Sequence, residues 1–309
     1  MSQIFDALQR TEAKRSGVHP EKLAAATELL EVAERRAAQA APEGEFQEDL
    51  QCPAIDARLA GKPSANQWTQ LKPTLVTEAP HPKLVCVTGE ESLAAEKFRF
   101  LAVRLRHLQQ KRPLKRLLIT SSMSEEGKST VAANLACALA RRQQKVLLLE
   151  GDLRRPSLAK LFGLGPIPGL SELLQGEPSA AMNICQLQRI SLWILPAGDP
   201  LRMPLEVMQS RRLSLLMDRL SEWFDWIVID TPPVLPLGDT SVWMRLADGI
   251  LLVTRPGKTA KRQLQRGLEA IEQSKLLGAL LNGSRDLASD EYYHYYAGQG
   301  SAFHARQAG

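Results

Sequence analysis

The sequence predicts a doubly wound α/β domain with a mostly parallel sheet and a phosphate-binding loop, spanning about residues 83–284. Three observations predict it. Apolar runs of strand length alternate with stretches of helix formers along this region. The runs are continuous rather than alternating, as expected when helices cover both faces of a parallel sheet. A loop ending Gly-Lys-Ser falls between one strand and the helix after it.

The elements follow in order. From Pro20 to about Gln39, PEKLAAATELLEVAERRAAQ is dense in helix formers and opens on proline, which suits a first turn. Six prolines between Pro42 and Pro82, with no apolar period, read as a linker. KLVCVT (83–88) reads as a short strand, and Glu90 to about Lys111 as a long helix ending before Pro113. Strands are then predicted at RLLIT (116–120), KVLLLE (145–150), SLWIL (191–195), WIVID (226–230), GILLVT (249–254) and GALLN (278–282). Helices are predicted at about Lys128–Arg142, Ser157–Phe162, Ser171–Leu174, Arg211–Trp223 and Ala260–Ser274. The resulting division is an arm and Pro-rich linker at 1–82, the α/β domain at 83–284 and a tail at 285–309. No internal repeat is present.

Composition narrows the class. With 309 residues the chain has room for about two domains of the usual ~100–200 residues. It is 44% hydrophobic and 24% charged, which excludes a wholly disordered or fibrous chain. No apolar run approaches the roughly 20 residues of a membrane span, and MSQIFDALQR lacks the basic-then-apolar order of a secretion signal. The expected location is cytoplasmic, or peripheral to a membrane. Cys52, Cys86, Cys137 and Cys185 are far apart with no CxxC pair, so reduced thiols are expected, with Cys137 a small core residue. Residues 96–116 carry eight Lys or Arg against one Glu. A solvated or intersubunit face is favoured there, because nothing resembling a nucleic-acid-binding module accompanies it. Ile4, Phe5 and Leu8 fall on one helical face, as a docking peptide or a terminal helix packed on its own domain would place them.

The strongest local signal is TSSMSEEGKST at 120–130. After a strand and before a helix, such a loop wraps phosphates with backbone N–H groups and the helix N-terminus. Ser122, Met123, Ser124, Glu125, Glu126, Gly127, Lys128, Ser129 and Thr130 form the expected cradle, with Lys128 on the outer phosphates and the Ser129 hydroxyl on Mg²⁺. An ordinary helix start is the alternative. WIVIDTPP puts Asp230 at the carboxyl end of an apolar strand, where open α/β sheets hold ligands and an acid needs a partner. The alternative there is a turn-capping aspartate. KVLLLEGDLRRP places Glu150 and Asp152 two residues apart at another strand end, able to divide metal neutralisation and proton acceptance. Arg154 and Arg155 either stabilise phosphate charge or are simply solvated.

In these residues the chain resembles the bacterial tyrosine autokinases of capsule and exopolysaccharide synthesis, relatives of the MinD/ParA P-loop ATPases. The resemblance covers about residues 84–296. It rests on the EEGKST loop, on the second acidic box Glu150-Gly151-Asp152-Leu153-Arg154, and on FDWIVIDTPPV with Asp230. GLSELLQG (169–176), LPAGDPLRMPLEVM (195–208), Asp239, ADGILLVTRPG (247–257) and LLGALLN (276–282) support it. The opening MSQIFDALQR also resembles the start of kinases that accompany exosortase-type systems.

All four tyrosines of the chain, Tyr292, Tyr293, Tyr295 and Tyr296, fall within five residues of the tail. An aromatic edge strand or a sticky partner peptide is one reading. In the family such a cluster is the autophosphorylation substrate. The resemblance further implies ATP and Mg²⁺ as cofactors, and catalytic roles for Lys128, Asp152 or Glu150, and Arg154, with Ser129, Asp152 and Asp230 at the metal. It implies a homo-oligomer, a membrane polysaccharide co-polymerase of the chain-length-determining type as activator, and a cognate tyrosine phosphatase, with no nucleic acid. A MinD/ParA-like assembly switch or a degenerate kinase scaffold is the alternative, disfavoured by the absence of a lysine in Ser122-Met123-Ser124.

Three departures from the family pattern stand out. Ser122 and Glu125 occupy glycine positions of the loop, and Glu125 adds a second acid beside Glu126, an arrangement expected to weaken ATP binding. Glu150 replaces an aspartate, which makes Asp152 the better catalytic candidate. The family's E-x-x-R-x-x-R oligomerisation helix appears as Glu96, Arg99 and Ala102, without the last arginine.

Overall fold

The computed structural model describes residues 81–284 apart from 89–91, 142–143, 177–183, 188–189 and 236–237. The helix expected at Pro20–Gln39, the arm residues Ile4, Phe5 and Leu8, and the tail tyrosines lie outside the described residues. Those described all belong to one unit within residues 52–309.

The elements run α1 (Val85–Thr88), α2 (Leu93–Lys111), β1 (Arg116–Ser121), α3 (Lys128–Ala140), β2 (Val146–Glu150), α4 (Leu158–Leu161), α5 (Leu170–Gln175), β3 (Cys185–Leu187), β4 (Leu192–Leu195), α6 (Pro204–Met208), α7 (Arg211–Trp223), β5 (Trp226–Asp230), α8 (Asp239–Leu246), β6 (Gly249–Thr254), α9 (Lys261–Glu269) and β7 (Leu276–Leu281). The seven strands form one sheet in the order β3-β4-β2-β5-β1-β6-β7. Every neighbouring pair is parallel except β3 with β4.

Both faces of the sheet are buried, which explains the unbroken apolar runs. Leu117, Ile119, Val146, Leu148, Trp226 and Val228 enter the core beneath α2 and α3. Their strand neighbours Leu118, Leu147, Leu149, Ile227 and Ile229 enter the core on the other face, with Leu213, Met217 and Leu220 of α7. Each fully buried Leu or Ile contributes about 1.5–3 kcal/mol relative to an exposed one, so the strands are held from both sides. Among the described residues no helix is long and apolar enough to cross a membrane.

The segment 83–88, expected as a strand, forms none; from Val85 to Thr88 it is instead the helical turn α1. Tertiary partners override the β propensity of LVCV: the Cys86 N–H donates to Asn134 Oδ1 at 3.0 Å, and Arg141 donates to the Cys86 carbonyl at 2.7 Å. Cys86 and Cys137 are both buried and reduced, and burial pushes the Cys86 thiol up to about 11. The long helix α2 starts at Leu93, capped by Ser92, whose Oγ accepts from the Ala95 N–H at 3.1 Å. The sequence did not signal β3, α6 or α8. β3 is a three-residue edge strand, and α6 and α8 are short helices after loops of mixed composition.

Candidate active site

The central strand β5 lies between β2 and β1, with Ile119 and Glu150 both level with Asp230. Three strand ends therefore converge where β1 runs into the phosphate loop. The loop turns at Gly127, which caps α3 at φ 90°, a conformation that favours glycine. A Cβ there would sit 2.1 Å from Asn282 Nδ2, which donates to the Glu126 carbonyl at 3.0 Å.

Lys128, the first residue of α3, turns its ammonium toward the acids. Its Nζ donates to Asp152 Oδ2 at 3.0 Å and lies 3.7 Å from Asp230 Oδ1 and 3.3 Å from Ser129 Oγ. Burial pulls its pKa down, but the charges of Asp230 and Asp152 outweigh that and leave it above the ordinary lysine value. Asp152 is held in turn by the Arg155 N–H at 3.1 Å.

Asp230 is fully buried, and neither of its carboxylate oxygens has a hydrogen-bond partner among the described residues. Burial raises its pKa, opposed by the charge of Lys128 and by the nearby Ser129 hydroxyl. A buried carboxylate beside a hydroxyl and an ammonium fits a hard cation reached through water. No three His, Cys, Asp or Glu side chains form a metal cage among the described residues. Mg²⁺ does not require one, because it retains waters and takes phosphate oxygens.

The remaining candidates divide. Glu150 is fully buried and faces the protein: its carboxylate accepts the N–H groups of Ser157, of Leu158 at 2.6 Å and of Ala197 at 3.2 Å. Burial lifts it to about 7, against the hydrogen bonds from Leu158 and Ser157. It is thus separated from Asp152, with which the sequence paired it. Arg154 is neither free nor merely solvated. It forms a two-pronged ion pair with buried Asp239, at 2.5 and 3.1 Å, and donates to the Arg202 carbonyl at 3.1 Å. Gly151 lies against Trp243, whose indole N–H donates to the Gly151 carbonyl at 3.1 Å and so fixes the acidic box.

Within the loop, Ser122 is buried, Ser124 is exposed, and the Met123 N–H donates to Glu126 Oε2 at 2.9 Å. Thr130 gives its carbonyl to Asn134 Nδ2 at 2.9 Å. Glu125 stands at φ 63°, the one non-glycine positive φ among the described residues. Its carboxylate is bonded by Lys258 Nζ at 2.5 Å, and the Thr259 hydroxyl donates to Glu126. Lys258, Thr259 and Asn282 are neighbours of the loop that sequence reasoning missed. The only signal was their place after two strand ends on the same rim. On α2, Glu96 and Arg99 form an ion pair at 2.6 Å, while Ala102 is buried in the core.

The protein-family profile that matches residues 114–296 is described as ParA: NUBPL iron-transfer P-loop NTPase. The chain is 34% identical over 214 residues to the tyrosine-protein kinase YwqD of Bacillus subtilis, covering 69% of this chain and 90% of that one. The chain belongs to the bacterial tyrosine-protein kinase family, a branch of the ParA/MinD-type P-loop NTPases. This tyrosine kinase is also 34% identical, over 203 residues, to the succinoglycan biosynthesis transport protein ExoP of Rhizobium meliloti, where the match is 64% of this chain and 26% of that one. Among solved structures, the kinase superposes on the chimerical protein CapA2B2 with a TM-score of 0.63 at 29% identity, covering 71% of this chain and 97% of that one.

Proposed function

We propose that this kinase transfers the γ-phosphate of ATP to its own C-terminal tyrosines, Tyr292, Tyr293, Tyr295 and Tyr296, and thereby regulates polymerisation and export of an exopolysaccharide or capsule. The observation that carries this reading is the ammonium of Lys128 set at the start of α3, 3.0 Å from Asp152 and 3.7 Å from Asp230. The loop from Ser122 to Thr130 supplies backbone N–H groups to the phosphates, and Lys128 supplies a positive charge to the outer two. Ser129 and Asp230 are the residues that would hold Mg²⁺, with Asp152 nearby. Bound there, the ion would supply positive charge that offsets the charge of the phosphates.

When phosphate oxygens compete for the Lys128 ammonium, the Asp152 carboxylate is released to accept the phenolic proton. The tyrosine oxygen bonds to the γ-phosphorus as the bond to the β–γ bridging oxygen breaks, and ADP leaves with that electron pair. Arg154, held by Asp239, adds positive charge at the rim. Glu150 serves as support, anchoring the chain at Ser157, Leu158 and Ala197.

A separate membrane polysaccharide co-polymerase is the proposed activator. ExoP supports this, since a kinase-like segment there is a quarter of a longer transport protein, as does the CapA2B2 chimera. The chain then works at the inner face of the membrane through that partner, as a homo-oligomer reset by a tyrosine phosphatase. The decisive test is mass spectrometry after incubation with ATP and Mg²⁺, with the partner's cytoplasmic tail present. Phosphate on the tail tyrosines that is absent in Lys128→Met supports the kinase reading. ATP turnover with unmodified tyrosines overturns it in favour of an assembly switch.

A further inference from the structure

The phosphate loop carries two adjacent acids, Glu125 and Glu126, where a polyanion is to bind, and the fold disposes of them in different ways. Glu126 is buried and acts as an internal brace: one carboxylate oxygen accepts the Met123 N–H at 2.9 Å and the other accepts the Thr259 hydroxyl. Glu125 projects outward with its side chain 80% exposed, on a backbone at φ 63° that disfavours any side chain. Its carboxylate meets Lys258 Nζ at 2.5 Å, and that hydrogen bond, with the ammonium charge behind it, holds its pKa below the usual value. Glu125 therefore remains charged, and the lysine is what balances it.

Lys258 arrives from 133 residues away on a turn built to deliver it. The N–H groups of Lys258 and Thr259 donate to the Arg255 carbonyl at 3.2 and 3.0 Å, and the Arg255 N–H donates to Thr259 Oγ1 at 2.9 Å. Gly257 supplies the left-handed bend at φ 71°. The turn between β6 and α9 thus grips both acids of the phosphate loop through consecutive residues, a charge on one and a hydroxyl on the other.

We propose that Lys258 is a positioning residue for the nucleotide, pinning and neutralising Glu125 so that a loop with two neighbouring acids accepts a triphosphate. The proposal rests on the nucleotide reading above and adds to it the residue that makes the chain's departure from a glycine loop tolerable. It distinguishes Lys258 from a direct phosphate ligand, because its contribution exists only while Glu125 is charged.

The test is a double-mutant cycle read by calorimetric titration of the full-length protein with Mg²⁺-ATPγS. Lys258→Ala is expected to weaken binding about three- to tenfold at low salt, with the loss shrinking at high salt. Glu125→Gln keeps the backbone conformation and removes the charge. In that background, Lys258→Ala is expected to change affinity by less than about twofold. An equal loss in both backgrounds overturns the proposal, since Lys258 then acts on the nucleotide itself, and so does no loss in either. Failure of the unmodified protein to bind the nucleotide at all sinks the site reading instead, which separates the two ideas. Both substitutions are at partly or largely exposed side chains, and the Glu125→Gln variant keeps the comparison interpretable if one protein is less stable.

Discussion

Asp230 and Glu150 are level with each other on adjacent strands, and both are fully buried, yet the fold treats them in opposite ways. Glu150 takes three backbone N–H groups, whereas Asp230 has the Lys128 ammonium 3.7 Å away and the Ser129 hydroxyl nearby. Burying a carboxylate with so few donors costs several kcal/mol, and the cation of the proposed function would offset that cost at Asp230. Burial alone therefore does not mark a site. On the proposed function, the supply of donors separates the acid that holds the scaffold together from the acid that takes a ligand.

Substitutions can break this contrast, beginning with the residue both aspartates address. Lys128→Met is expected to lower phosphotransfer per folded molecule about 10³-fold, measured as label from γ-³²P-ATP on tyrosine. A residual rate within tenfold of the unmodified protein removes Lys128 from the chemistry. Asp230→Asn is expected to lose about 10²-fold and to shift the Mg²⁺ dependence of the reaction to higher concentration, measured by metal titration at fixed ATP.

Glu150→Gln should behave differently. Its amide nitrogen would face a backbone N–H that now finds an acceptor, costing about 1–3 kcal/mol in urea unfolding. Activity per folded molecule should stay within about threefold, because this side chain touches no reacting group.

The smallest effect is a pH slope. Burial lifts Glu150 from 4.5 to about 7. The folded chain then keeps a proton that the unfolded chain releases near 4.5. The stability from that proton is complete below 4.5 and is lost as pH rises through 7. Unfolding free energy should decline between pH 5 and 7 by up to about 1.4 kcal/mol per unit from this group, and Glu150→Gln should flatten that decline. An unchanged slope in the variant means another group titrates there.

Much of this was readable from the chain alone where one physical cause dominated. WIVID and GILLVT match β5 and β6 residue for residue, because a strand covered on both faces is an unbroken apolar run up to its terminal polar residue, Asp230 or Thr254. Arg211–Trp223 was equally plain as α7. The KLVCVT segment misled because four residues of β-prone type hold too little information against the hydrogen bonds of Asn134 and Arg141. Glu150 and Asp152 were read as a pair sharing one task, with Asp152 preferred, because spacing says nothing of which amides lie beneath each. Arg154 looked free because its partner Asp239 is 85 residues away.

By itself the sequence determined the alternation of strand and helix, the phosphate loop running into the helix that Lys128 opens and the acid ending β5, all of which follow from local residue types and short spacings. Tertiary structure alone decided that Asp152 joins Lys128 while Glu150 turns away, that Asp239 captures Arg154, and that Lys258 reaches Glu125. Those outcomes depend on which donors and charges meet across long separations, and that is set by the order of strands in the sheet rather than by any neighbouring residue.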